Sequence, residues 1–477
     1  MTVVTLPCRE MTADLPVTPG NLLDFPDDPI ACMRRLQRQH GLIAALEQDS
    51  TRIHFVFGPD YNRQVLSDAQ TFHSRFFAVR GPRQSPQRRL TSGLLSMNGE
   101  QHKQHRRLVM DAFLKKAIQG YLPTVRSLCD EMLADWRPGQ ERDLSRDMTE
   151  FLLRLTSVIL FGTADAELAC RIGRMIDQWV HLNHELGMGA FIADEQFTLK
   201  YDHLLELAGE LEQQIAGLIQ QRRQAHGHGC DALSMMLAAH DDQGRMSDEE
   251  LIGQTALIFA AAHLTTAHSL TWTLFLLAQH PGVMSRLHAQ LQSGLDGGFP
   301  TLEQVERVPL MERVVKESMR VLPASSYSQR IVTQPTRLGP FDLPAGAGVV
   351  FSQFITHHLP ELFPEPDVFL PDRWETISPS PYAYLPYGAG PRMCLGGPLA
   401  MVILKTVPAA ILQRFKLTVV PGTEITGKVI STMLSPTQPV WMRIDQQDGR
   451  FESQPVTGNI GTLVDLREIA SPLRRAA

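Results

Sequence analysis

The chain has 477 residues, a formal net charge of −6 and 43% hydrophobic residues. Length alone allows about three average domains, but no Ser/Gly- or Pro-rich linker divides the chain, so one large compact unit is expected. The acidic balance offers no broad positive field for a phosphate backbone, which argues against a nucleic-acid partner.

The first twenty residues lack the layout of a secretion signal and any apolar run of about twenty residues that could cross a bilayer, so neither export nor a membrane anchor is expected. The six cysteines (Cys8, Cys32, Cys129, Cys170, Cys230 and Cys394) form no C-x-x-C pair. That fits neither a disulfide framework nor a zinc knuckle, and a reducing cytoplasm is the simpler expectation.

Residues 41–57 (GLIAALEQDSTRIHFVF) read as two short strands about a polar turn. Helical periodicity follows over 102–118, 145–160, 167–184 and 200–225. The longest helical stretch, 248–280, opens on the capping-box pattern Ser247-Asp248-Glu249-Glu250 and stops before Pro281, giving a rod of roughly 50 Å. Its middle, Ala256 to Ala262, is apolar all round and should cross the core, while His263, Thr265, Thr266, His268 and Ser269 argue against a membrane span.

A further helix is expected over 302–320, strand over 337–353, and a helix over 398–414 in which Pro408 predicts a kink or an early end. From Gln446 onward the sequence turns polar and reads as an appended tail without an assignable role. The fold class expected is mainly α with small β-sheets (α+β), as one domain over 1–445 followed by an extension over 446–477.

The segment Leu385-Pro-Tyr-Gly-Ala-Gly-Pro-Arg-Met-Cys-Leu-Gly-Gly-Pro-Leu-Ala400 sets one cysteine in a glycine-rich loop directly ahead of a helix. Gly388, Gly390, Gly396 and Gly397 supply freedom at positive φ and remove side chains that would keep a flat cofactor at a distance. Backbone N–H groups and the positive end of the following helix favour thiolate over thiol at Cys394. A cysteine in an apolar stretch is more often a core thiol, and Gly-Ala-Gly resembles a nucleotide loop, but no strand-Gly-x-Gly-x-x-Gly-helix unit is completed.

The run Tyr387-Gly-x-Gly-x-Arg-x-Cys-x-Gly396 resembles the haem-binding signature of the cytochrome P450 family, with Tyr387 where Phe is usual. Three further matches follow in the family's order, over roughly residues 20–445. Glu317 and Arg320 are similar to its E-x-x-R pair, and Arg373, in Phe369-x-Pro-Asp-Arg-Trp374, to the third member of a structural Glu-Arg-Arg cluster; alone, a Glu/Arg pair at this spacing commonly just solvates a surface helix. His102 and Arg106, on one helical face, resemble the segment that contacts a haem propionate, and Arg330 and Arg392 the other propionate positions. Ala261-Ala262-His263-Leu264-Thr265-Thr266 aligns with the oxygen-activation motif, but with Leu264 where an acid is expected and Ala262 where Gly is usual.

The resemblance implies haem b held by the Cys394 thiolate, with Tyr387, Gly388, Gly396 and Ala261 beside it. It implies a monooxygenase that activates O2 and oxidises a lipophilic small molecule such as a terpenoid, fatty acid or polyketide. No flavin- or nicotinamide-binding segment follows, so electrons should come from a separate ferredoxin or flavodoxin and its reductase. Arg106, Arg107, Lys115, Lys116, Arg313, Lys316 and Lys405 fall in segments that border the cysteine side in this family and either attract an acidic partner or form a merely solvated surface. A monomer is expected.

Leucine at 264 cannot relay protons, which leaves three routes: water held by Thr265 and Thr266, a path through His263, or a polar group on the substrate. Thr265 could instead bond back to its own helix. The same gap keeps open a peroxide-using or peroxide-rearranging haem-thiolate enzyme, and a haem protein with a sensing role. The expected substrate pocket includes Phe76, Phe77, Leu90, Leu94, Leu95, Trp179, Phe191, Phe197, Ala261 and Leu264, each of which ordinary core packing explains as well. Arg75, Arg80, Arg83, Arg88 and Arg89 suggest a carboxylate or acidic carrier, or a solvated loop.

Overall fold

Proline opens four of the longer helices, Pro29–His40, Pro59–Ser67, Pro281–Gly294 and Pro309–Val321, where its missing N–H has no intrahelical partner to lose. A computed structural model describes residues 15–468 apart from 23, 76–77, 164, 190–194, 225–228 and 242–243. The longer helices, in chain order, are α1 (Pro29–His40), α2 (Pro59–Ser67), α3 (Gly99–Met110), α4 (Lys115–Ala134), α5 (Leu144–Phe161), α6 (Ala166–Gly189), α7 (Glu195–Gln224), α8 (Asp248–Gln279), α9 (Pro281–Gly294), α10 (Pro309–Val321) and α11 (Gly397–Arg414).

Helix α8 is the axis of the molecule. Its capping box forms as expected, with Glu250 N donating to Ser247 Oγ (3.2 Å) and Ser247 N to Glu250 Oε2 (2.8 Å). Its two halves serve two apolar clusters. Leu270, Trp272 and Leu274 to Ala278 join one with α4, α5, α9, α10 and α11, while Leu251, Ile252, Leu257, Phe259 and Leu264 join the other with α6 and α7. A third cluster lies under a six-stranded sheet ordered Val17–Pro19, Ile43–Gln48, Thr51–Val56, Gly348–Phe351, Ser328–Val332, Phe72–Ser74. The architecture is helix-rich with small sheets. Among the described residues no helix is long and apolar enough to cross a membrane.

Three expectations about elements are corrected. The stretch 102–118 is two helices, because a 3-10 turn at Asp111–Phe113 and an extended Leu114 end α3 before α4 begins. The stretch 302–320 breaks into Leu302–Glu306 and α10, with Pro309 opening the second. Pro408 does not end α11, which runs to Arg414. Burial of Val407, Ala409, Ala410, Ile411 and Leu412 around it outweighs a helix-interior proline cost of about 3 kcal/mol.

The tail is also not a mere appendage. Residues up to 468 fold back on the body, and Ile460, Leu463 and Val464 are buried in the main core cluster.

Candidate active site

The cysteine loop is built from tight turns. Gly388 and Gly390 have φ of 66° and 72°, which favours glycine at both, and a Cβ on Gly390 would stand 2.3 Å from Leu66 O, so that position requires it. Gly396, at φ −77°, does not; its place before α11 leaves the backbone N–H groups of Gly396 and Gly397 free to reach the Cys394 sulfur. Cys394 N donates to Tyr387 O at 2.9 Å, closing the loop. Burial pushes the Cys394 thiol above its ordinary value, and the two glycine N–H groups with Arg106 only pull against it. The two N–H groups thus favour thiolate as expected, and a bonded cation would add to them against the effect of burial.

Behind the loop lies the Glu-Arg-Arg cluster, fully buried. Glu317 Oε1 accepts from Arg320 Nη2, Arg373 Nε and Leu370 N, each at 2.9 Å. Its Oε2 accepts from Arg320 Nε (3.0 Å) and Trp374 Nε1 (2.9 Å). Burial alone would raise the Glu317 carboxyl, but Arg320 and Arg373 hold it below its usual range. Arg320 also donates to His357 O (2.9 Å), Pro366 O (2.6 Å) and Val368 O (2.9 Å). His357 Nε2 in turn meets Leu385 N at 2.7 Å, where the cysteine loop begins. Trp374 and His357 belong to this brace although the sequence signalled neither role.

A cavity of about 490 Å3 opens between this loop and α8. Cys394, Tyr387, Gly388 and Gly396 line one wall; Ala261, Ala262, Thr265, Thr266 and Ser269 line the opposite one. Arg75, His102, Arg106, Arg330 and Arg392 also line it, and among the described residues no Asp or Glu does. The guanidinium partners are neutral carbonyl and amide oxygens: Gln329 O for Arg330 (2.8 Å), Met97 O (2.8 Å) and Asn98 Oδ1 (3.2 Å) for Arg392, and Met393 O for Arg106 (2.8 Å). Burial first, then the neighbouring cation Arg392, pushes Arg330 down to about 9, and burial with Arg106 pushes Arg392 down to about 10. Burial, then Arg392, Arg106 and Arg330, pushes His102 down to about 4. Crowded, desolvated cations of this kind fit a ligand carrying carboxylates at one edge. The apolar walls between them and the sulfur fit its flat body. The donor set thus suits haem.

The Thr265 hydroxyl lines the cavity and donates back to Ala261 O at 2.9 Å; Thr266 does the same to Ala262 O at 3.1 Å. Each proton is engaged on the helix, while the oxygen lone pairs stay available to a donor in the cavity.

His263 faces the other way. Its Nδ1 meets Phe259 O (3.2 Å) and its Nε2 meets Asp177 Oδ1 on α6 (2.9 Å). The expected proton path through His263 does not enter the cavity, because the residue sits on the opposite face of α8 from Thr265. Leu264 is likewise corrected: it is buried in the apolar cluster with α6 and α7 and is not a cavity residue.

Of the expected pocket, Leu94, Leu95 and Ala261 line the cavity. Trp179 does not, since its Nε1 donates to Gln87 Oε1 (2.6 Å) inside the core. Leu90 is a fully buried core residue, and Phe197 stacks on Tyr201 away from the cavity. Phe76, Phe77 and Phe191 lie outside the described residues. The structure adds Leu152, Leu155, Thr156, Ile159 and Leu160 of α5, with Leu257 and Ile258 of α8. Their helical spacing was visible in the sequence, but a cavity-facing stripe and a core-facing one read alike.

The basic residues divide. Lys316 and Lys405 pair with Glu312 (2.7 and 3.8 Å), and Arg313 pairs with Glu375 and Asp372. Arg107, Lys115 and Lys116 are exposed.

A family model described as Cytochrome P450 matches residues 15–441. The chain is 30% identical over 396 residues to cyclooctat-9-en-7-ol 5-monooxygenase of Streptomyces melanosporofaciens, covering 81% of this chain and 84% of that one. It is 30% identical to cyclooctatin synthase of the same organism (81% and 85% covered) and 27% identical to pentalenene oxygenase of Streptomyces avermitilis (83% and 89%). The fold is similar to that of the retinoic acid bound cyanobacterial CYP120A1, with TM-score 0.76, 24% identity and 89% and 96% of the chains covered. It is also similar to the cytochrome P450DA heme domain, with TM-score 0.78, 23% identity and 92% and 99% covered.

Proposed function

This chain belongs to the cytochrome P450 family of haem-thiolate monooxygenases, and from that premise we propose that the Cys394 thiolate would hold the haem iron and that a terpenoid-like molecule is the substrate. Arg106, Arg330 and Arg392 would hold the two haem carboxylates as cations, while His102, kept neutral by burial and those arginines, would offer a ring N–H. The observation that carries the reading is the cavity's charge: among the described residues four arginines, the neutral His102 and one cysteine line it, and no acid does. When bound there, haem supplies reductive activation of dioxygen.

The rest falls to side chains. Leu152, Leu155, Ile159, Leu160, Leu257 and Ile258 exclude water and hold an apolar skeleton against Ala261 and Thr265. The relatives whose printed names concern cyclooctatin and pentalenene support a cyclic terpenoid. Thr265 and Thr266 offer lone pairs to a cavity water, which carries the protons that no carboxylate delivers. Electrons come from a separate ferredoxin or flavodoxin, with Arg107, Lys115 and Lys116 available to an acidic partner.

The test is turnover of a panel of cyclic terpenes and terpene alcohols under labelled dioxygen with a ferredoxin and its reductase. One labelled oxygen atom per product molecule is expected. Product formed with peroxide alone, and no gain from the reduced ferredoxin, would instead establish the peroxide-using reading.

A further inference from the structure

Residues 447–468 lie beyond the span that the family model matches, and they are held to the body at both ends. Asn459 clasps Gly427 through its side chain, donating to Gly427 O and accepting from Gly427 N, both at 2.8 Å. Ile460, Leu463 and Val464 enter the main core. Thr462 O accepts from Arg34 of α1. Asp465 N donates to Asp367 O at 2.7 Å, and Asp465 forms a parallel bridge with Val368. Glu468 Oε1 then accepts from Gly282 N (2.7 Å) and Val283 N (3.2 Å), the first-turn donors of α9, a helix that has no side-chain cap of its own.

The contact at Asp367 and Val368 matters because of what else that loop does. The carbonyls of Pro364, Glu365, Pro366 and Val368 receive Arg320 and Arg373. Those arginines fix Glu317; Arg320 reaches His357 O, and His357 Nε2 takes Leu385 N at the root of the cysteine loop. A continuous hydrogen-bonded path thus runs from Asp465 to the loop that presents Cys394.

We propose that residues 447–468 act as a strap that positions the cysteine loop: by holding the 364–368 loop, the Asp465 N–H keeps the Glu317–Arg320–Arg373 brace closed and the sulfur in place for the haem. The strap is a positioning element acting through the brace, not a catalytic one. Local opening of the 364–368 loop is the event it suppresses. The inference rests on the haem-thiolate reading above.

The deciding experiment uses the full-length holoprotein. Asp465→Pro deletes the one N–H that reaches Asp367 O, and Val464, already extended at φ −145° and ψ 140°, tolerates a following proline. Asp465→Ala keeps that N–H and is the rescue. Glu468→Ala removes only the α9 cap and is the control for general loosening.

Each protein is heated stepwise, reading the thiolate-ligated spectrum of the reduced carbon-monoxide form against the far-ultraviolet helix signal. In the wild type, Asp465→Ala and Glu468→Ala the two signals should be lost together. In Asp465→Pro the thiolate signature should disappear several degrees before the helices do. Asn459→Ala, which loosens the strap without touching residue 465, should separate them in the same direction by less, and serves if the proline variant does not accumulate. Coincident losses in both disrupting variants overturn the strap. A wild type without the thiolate signature would overturn the haem reading instead.

Discussion

Thr265 and Leu264 are neighbours in the chain with opposite surroundings. The Thr265 hydroxyl gives its proton to Ala261 O and turns its lone pairs to the cavity, so its value to the reaction is as an acceptor. Thr265→Val keeps the shape and removes that acceptor. Product formed per electron pair should fall about tenfold, or about 1.4 kcal/mol, with the melting temperature nearly unchanged, since a hydroxyl bonded back to its own helix adds little stability. Unchanged coupling would contradict this. Leu264 is 6% exposed and packed among apolar side chains of α6 and α7. Leu264→Glu therefore buries an unpartnered carboxyl, costing roughly 2–3 kcal/mol, and should lower the melting temperature without improving coupling. A variant as stable as the wild type and better coupled would show that position 264 reaches the proton path after all.

Between elements, Asp177 ties α6 to α8. Asp177 accepts from His263 of α8 and faces His181 of its own helix, with His184 and His268 close enough to be pushed down to about 4, chiefly by burial. Burial works against the Asp177 carboxylate, but its hydrogen bonds to His181 and His263 hold it well below the usual range. The bond to Asp177 pushes His181 up to about 9. A histidine raised in the folded state stabilises fully below its unfolded value of about 6.5, and the gain is lost as pH rises through the folded value. The lowered Asp177 contributes above an unfolded value of about 3.9 and is lost below it. The melting-temperature gap between wild type and Asp177→Asn should thus be widest near pH 5–6, by about these values, and shrink toward both pH 9 and pH 3. A gap that does not vary with pH would show that Asp177 and His181 do not form a charged pair in the folded protein.

Across the whole molecule, what could be read from the sequence followed the specificity of the chemistry. The cysteine loop stood out by its glycines, whereas the Glu-Arg-Arg cluster and the cavity cations were legible only through the resemblance to the cytochrome P450 family, since alone such pairs read as solvated helix faces; the structure brings them together. The capping box fixed the start of α8 for the same reason. The direction of His263 was not legible: a helix buried on most sides has no polar face to orient it, so only the position of Asp177, 86 residues away, decides where the ring turns. Trp179 and Leu264 failed as pocket residues because core and pocket are both apolar. The strap was hidden because Asn459, Asp465 and Glu468 meet partners far away in the chain, and Ile460, Leu463 and Val464 are too few to show a period.

The reading stands on one bond. Cys394 and Cys394→Ser proteins should be purified in parallel and the spectrum of the reduced, carbon-monoxide-bound form recorded for each. A haem-thiolate spectrum in the wild type that is lost in the serine variant is the predicted result; an unaltered spectrum in Cys394→Ser, or no haem in the wild type, would contradict it.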